Sequence, residues 1–209
     1  MAEKKILIVI PSYNFYDRGY QVCRQRWEGC GDKVTVASLE CLTARGEEGM
    51  AVPVDAALKD VKYYDYDAIV FLGGDGARHL FDNEKARELA KDAKYKVLCA
   101  IGNATILLAL AGAIDGKKVT GPPESAGWLV KGKGTYTGRP VQIDEKLVTV
   151  QDTSLADQIA NAVVKTSKLD GSRPVGLLSE KELELLEDII RNPVKHGIPL
   201  WLVNRRKDP

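Results

Sequence analysis

Residues 97–120 constrain the fold most. There the apolar run Val97-Leu98-Cys99-Ala100-Ile101 meets Gly102-Asn103 and then the small-residue segment from Ala104 to about Ala111. A continuous apolar pentapeptide reads as a strand covered on both faces, and the segment after it as a short helix. The glycine between them marks a sharp strand-to-helix turn. Such a turn lifts one side chain above the sheet at a helix N-terminus, where several hydrolase-like folds hold a nucleophile. Here the apex falls at Gly102, which has no side chain. The architecture of a reactive site is present without its reactive atom.

The rest of the chain repeats the alternation. Lys5–Ile10, Val34–Ser38, Asp67–Leu72 and Lys96–Ile101 read as strands, and Asp17–Gly29, Asn83–Ala93 and Ser154–Thr166 as helices. Asp82 or Asn83 is placed to cap the second helix. Met50–Leu58 reads as extended, with Pro53 at an edge. Val119-Thr120, Thr135–Thr137, Val141–Ile143 and Leu147–Val150 read as short strands. This pattern predicts an α/β fold, a doubly wound, mostly parallel sheet with helices on both faces. Ligands of such sheets bind beyond the carboxyl ends of the strands. Three segments converge on that edge: 11–16, 73–78 and 102–104. Residues 1–168 read as one domain and 169–209 as a C-terminal helix–strand extension. A capping box at Ser179-Glu180-Lys181-Glu182 opens the helix of that extension. Alone it has no partner to bury its Leu183, Leu186 and Ile190 stripe, so it packs on the domain or on a second subunit.

Composition narrows the function classes. A net charge of +1 without a long basic run gives nucleic acid no electrostatic footprint. No apolar stretch approaches the roughly 20 residues a membrane span needs. The opening run to Ile10 lacks a small-residue cleavage site and reads as a first core strand rather than a signal peptide. Cys23, Cys30, Cys41 and Cys99 lack zinc spacing and read as reduced thiols of a cytoplasmic protein, with no metal expected. Gly73-Gly74-Asp75-Gly76 follows a strand but has neither P-loop nor dinucleotide-fingerprint spacing, so no cofactor is expected either.

With these segments placed, the chain resembles the DJ-1/PfpI (ThiJ) family over roughly residues 4–167. The resemblance rests on Pro53-Val54-Asp55 leading into Asp67–Gly74, and on the run from Ala111-Gly112-Ala113-Ile114-Asp115 to Thr120. It implies a flavodoxin-like, class I glutamine amidotransferase-like fold. Family members carry a cysteine on the turn, often followed by histidine, and a glutamate from the first loop bonded to the thiol. One branch adds an acidic residue after the Gly-Gly turn. In this chain those positions fall at Gly102, Asn103, Tyr16 and Arg78. A reactive thiolate needs a sulfur, a stabilising group and exposure, and none is supplied at these places.

The expected ligand pocket consists of Gly102, Asn103, Ala104, Tyr16, Asn14, Gly73, Gly74 and Asp75, with no catalytic residue among them. At Gly102, either the amides of Asn103 and Ala104 bind an anion at the helix start, or the glycine merely permits the turn. Tyr16 either donates to a ligand or fills the space of a missing glutamate–cysteine pair. Asp75 points into the cleft or closes its turn. Cys99, inside its strand, reads as a small hydrophobe rather than a displaced nucleophile. His79 reads as exposed or capping, and His196 has no visible partner. The leading expectation is a non-catalytic or degenerate family member binding a small anionic metabolite and forming a homo-oligomer. One alternative is a peptidase, amidase, glyoxalase or deglycase with relocated residues; the other is an oligomeric scaffold.

Overall fold

The apolar runs form the centre of a seven-stranded sheet in the computed structural model, which describes residues 3–40 and 42–167. The chain divides into two units, Met1–Asp170 and Gly171–Pro209. Cys41, His196 and the extension with its 179–191 helix lie outside the described residues.

In chain order the elements are β1 (Lys5–Val9), β2 (Tyr13–Phe15), α1 (Asp17–Gly29), β3 (Lys33–Ser38), β4 (Thr43–Gly46), β5 (Ala51–Pro53) and β6 (Ala56–Ala57). Then follow β7 (Ala68–Leu72), α2 (Arg78–Phe81), α3 (Glu84–Asp92), β8 (Val97–Ile101), α4 (Thr105–Leu110) and β9 (Lys118–Val119). The last are α5 (Ala126–Lys131), β10 (Thr135–Tyr136), β11 (Val141–Asp144), β12 (Leu147–Val150) and α6 (Ala156–Ser167). The main sheet runs β11-β12-β8-β7-β1-β3-β6, parallel throughout except for the β11–β12 hairpin.

Side chains alternate across these strands, so each face receives its own half of every apolar run. Ile6, Ile8, Val70, Cys99, Ile101 and Val148 meet Tyr20, Cys23 and Trp27 of α1 and Ile159, Ala160 and Val163 of α6. Leu7, Val9, Ile69, Phe71 and Leu98 meet Leu89 of α3, Leu107 and Leu108 of α4, and Leu129 of α5. The sheet is therefore doubly wound. Each fully buried Leu, Ile or Phe stabilises the domain by roughly 1.5–3 kcal/mol. Trp27 locks the first face, donating its indole N–H to the Ala160 carbonyl at 3.0 Å. Asn83 caps α3, its side chain accepting from the Ala86 amide at 3.0 Å.

Two features are additions to the sequence reading. A small sheet of order β2-β4-β5 sits beside the β1 carboxyl end, with Pro53 on its edge strand. Residues 123–131 form a 3-10 turn and α5 where no helix was expected. Strand order reverses between β1 and β7, which sets the topological switch point beside the β1–α1 loop.

Candidate functional site

The three converging segments meet at that switch point. β8 ends at Ile101, and Gly102 turns the chain with φ +63°, a left-handed conformation suited to glycine. A 3-10 turn over Gly102–Ala104 leads into α4, and the Thr105 hydroxyl donates to the Gly102 carbonyl at 2.9 Å. The turn is thus built as the sequence predicts.

Above the turn lies Tyr16, the last residue before α1. Its backbone N–H donates to the Gly73 carbonyl at 3.1 Å, tying the first loop to the end of β7. Its ring reaches across the turn. A Cβ built on Gly102 would lie 2.7 Å from Tyr16 Cε2, so a side chain there requires the ring to shift. Of the two readings of Tyr16, its ring occupies the space above residue 102.

Asn103 joins the neighbouring loop. Its Nδ2 donates to the Gly74 carbonyl at 2.9 Å, and its Oδ1 accepts from the Gly74 amide at 3.1 Å. The Asp75 amide donates to Glu47 Oε1 at 2.8 Å, and the Glu47 amide in turn donates to the Phe15 carbonyl at 3.0 Å. The amides of Gly74 and Asp75 are therefore already engaged within the protein. The glycines of this turn have a packing reason: a Cβ on Gly74 would strike the Asn14 carbonyl oxygen, and one on Gly76 the Tyr13 carbonyl oxygen. Backbone packs on backbone here, which explains the Gly-rich run without a phosphate.

The remaining expected residues fall as follows. Asn14 is exposed with φ +53°, Asp75 is exposed, and Ala104 is buried at the turn. Arg78 and His79 are exposed on α2. Cys99 is fully buried in β8. Burial, and then the neighbouring Cys23, raise its thiol well above the ordinary value, so it is held as a neutral hydrophobe. Among the described residues no group of His, Cys, Asp and Glu is arranged to hold a metal, and no helix is long and apolar enough to cross a membrane.

The electrostatics were not visible in the sequence. Partial burial raises the Tyr16 phenol above its ordinary pKa, and the carboxylates of Glu47, Asp75, Glu124 and Asp152 raise it further. These acids come from the β4–β5 connection, the loop after β7, the 3-10 turn before α5 and the loop after β12. Only Asp75 carried a motif signal. Asp152 carried a topological one, since it follows a strand that ends on the same sheet edge. The surround is acidic.

A protein-family model described as the DJ-1/PfpI family matches residues 4–166. An uncharacterized protein of Methanocaldococcus jannaschii is 34% identical over 170 residues, covering 79% of this chain and 83% of the relative. The crystal structure of a ThiJ/PfpI domain protein from Brachyspira murdochii superposes with a TM-score of 0.76 at 27% identity, covering 80% of this chain and 98% of that one. Fifty residues, 24% of this chain, are 56% identical to small ribosomal subunit protein uS13 of Nanoarchaeum equitans. The chain spans only 33% of that ribosomal protein's length.

Proposed function

The chain belongs to the DJ-1/PfpI family, and we propose that it is a non-catalytic member whose crevice above the strand-to-helix turn is filled by its own tyrosine. One observation carries this reading: the Tyr16 ring stands 2.7 Å from where a side chain on Gly102 would begin. A thiol mechanism needs a sulfur there and a carboxylate beside it. Gly102 and Tyr16 occupy those two positions. Cys99, three residues back in β8, is buried and held neutral.

The same surroundings disfavour the small anion that the turn alone invites. Four carboxylates raise the Tyr16 pKa, so the local field is negative. The amides of Gly74 and Asp75 in the neighbouring loop already have protein partners and add no donors to those of Asn103 and Ala104.

Peptidase, glyoxalase and deglycase assays on the purified chain test the reading. The expected result is turnover indistinguishable from buffer. Turnover abolished by a thiol-blocking reagent, or by Tyr16→Phe, overturns it. The second outcome would favour the relocated-enzyme alternative, in which Tyr16, Asp75 or Asn103 acts on the substrate.

A second reading has its own observation. Fifty residues of the chain are uS13-like. In this reading a DJ-1/PfpI domain is joined to a ribosomal-type segment that brings it to small ribosomal subunits. Co-sedimentation of the full chain with purified archaeal small subunits is then expected, and its failure at low salt removes this reading.

A further inference from the structure

A separate cavity of about 390 Å³ opens one strand away from the Tyr16 crevice, at the carboxyl ends of β1 and β3. Its size falls within the roughly 300–1,000 Å³ of small-molecule sites. We propose that this cavity binds an uncharged nucleoside-type molecule, a flat heterocycle joined to a cis-diol.

The polar end of the cavity is a hydroxyl pair. Ser38 is 1% exposed, and its Oγ lies 3.0 Å from Oγ of Ser12. That mutual bond uses one hydroxyl hydrogen and one lone pair, leaving one O–H and several acceptor sites for a guest. Leu39 and Val54 add apolar wall. At the rim stands Tyr13, 61% exposed, a large aromatic face left in water on a short strand of the small sheet. Such a face stacks on a flat heterocycle.

Glu40 also lines the cavity, two residues beyond the end of β3. In doubly wound folds, an acidic residue just past the second core strand is placed to accept hydrogen bonds from a ribose diol. β3 is the second strand of the main sheet in chain order, and it neighbours β1. The phosphate half of a nucleotide has no counterpart. The loop after β1, Pro11-Ser12-Tyr13-Asn14, contains no glycine for a backbone cradle. Among the described residues that line the cavity there is no lysine or arginine, and the His79 imidazole, the basic group among them, shares the lining with the Glu40 carboxylate. The Glu40 carboxylate opposes an anion. The chemistry fits a nucleoside and not its phosphates.

The test titrates adenosine, guanosine, cytidine and uridine in turn into the isotope-labelled full-length chain and follows its amide spectrum. At least one is expected to shift the Ser12, Ser38 and Glu40 signals saturably. Its 2′-deoxy counterpart is expected to bind about tenfold more weakly, because the hydrogen-bonding groups then lack a partner. Tyr13→Ala, a change at an exposed side chain, should weaken binding by about tenfold through lost stacking. The 5′-monophosphate should bind no more tightly than the nucleoside. If none of the four shifts these signals, the proposal fails. It fails equally if the deoxy form and Tyr13→Ala bind with unchanged affinity, or if the monophosphate binds more tightly.

Discussion

Asn103 and Gly74 hold each other through both ends of an amide, the side-chain Nδ2 donating to the Gly74 carbonyl and Oδ1 accepting from the Gly74 N–H. Gly74 follows β7 and Asn103 follows β8, so the pair closes two adjacent strand ends into one rigid ring. The asparagine works here as a fastener between loops, with its hydrogen-bonding capacity directed at protein.

Replacing it should therefore cost stability. Asn103→Leu leaves the buried Gly74 N–H and C=O without their partner, at about 1–3 kcal/mol for an unsatisfied group. Asn103→Asp keeps the acceptor but sets a carboxylate oxygen against the Gly74 carbonyl, so it should be no better tolerated. Urea unfolding of the two variants reads both costs.

Gly102→Ala places a Cβ on a left-handed residue and against the Tyr16 ring. A loss of about 1–3 kcal/mol is expected from the backbone alone, and more from the clash. In a Tyr16→Ala background only the backbone part remains, so the alanine should cost less there. Equal costs in both backgrounds would show that the ring does not fill this space. A double-mutant cycle by chemical unfolding measures the difference.

Trp27→Phe removes the indole donor and leaves the Ala160 carbonyl without it, in the core between α1 and α6. That carbonyl keeps its partner within α6, so the expected loss is about 0.5–1.5 kcal/mol for the bond itself, with the cost of a small cavity added. Thermal unfolding should show a clearly lowered midpoint.

Alkaline pH should destabilise the domain through its half-buried phenols. The Tyr16 pKa is raised first by burial and then by Glu47, Asp75, Glu124 and Asp152. Tyr66 is likewise raised, chiefly by burial. A phenol whose folded pKa lies above its unfolded value stabilises the fold fully below about pH 10, and that stability is lost as pH rises further. The fall in unfolding free energy above this pH should be shallower in Tyr16→Phe than in the parent.

Thiol accessibility separates the cysteines. Cys30 is exposed, whereas Cys23 and Cys99 are buried and the Cys99 thiol is raised well above its usual value. In a Cys41→Ser background, alkylation at pH 8 should label Cys30 and spare Cys99 until denaturant is added. Mass spectrometry of the peptides decides this.

The main sheet was legible because β1, β7 and β8 are apolar on both faces, which few other structures tolerate. The cap of α3 was legible to within two residues, Asp82 or Asn83, for an equally local reason, and the structure gives the role to Asn83. The small sheet was not. Tyr13–Phe15 and Thr43–Gly46 are short and mixed in character, and pairing rather than composition makes them strands. α5 was hidden by Pro122 and Pro123 before it and Gly127 within it, all of which read as turn. At the candidate site, spacing located Gly102, Tyr16 and Gly74 at one sheet edge. It did not reveal that Asn14 and Tyr13 carbonyls press on the glycines, because close packing between distant segments leaves no trace along the chain. Glu47 and Glu124 were unreadable for the same reason.

The left-handed bend at residue 102 and the aromatic ring leaning over it also act on descent. Introducing a side chain at residue 102 is coupled to the ring of Tyr16 and costs least once that ring has shrunk or moved. Taken the other way round, the intermediate bears both the contorted main chain and the collision at once. Changes at these two positions are thereby coupled mechanically.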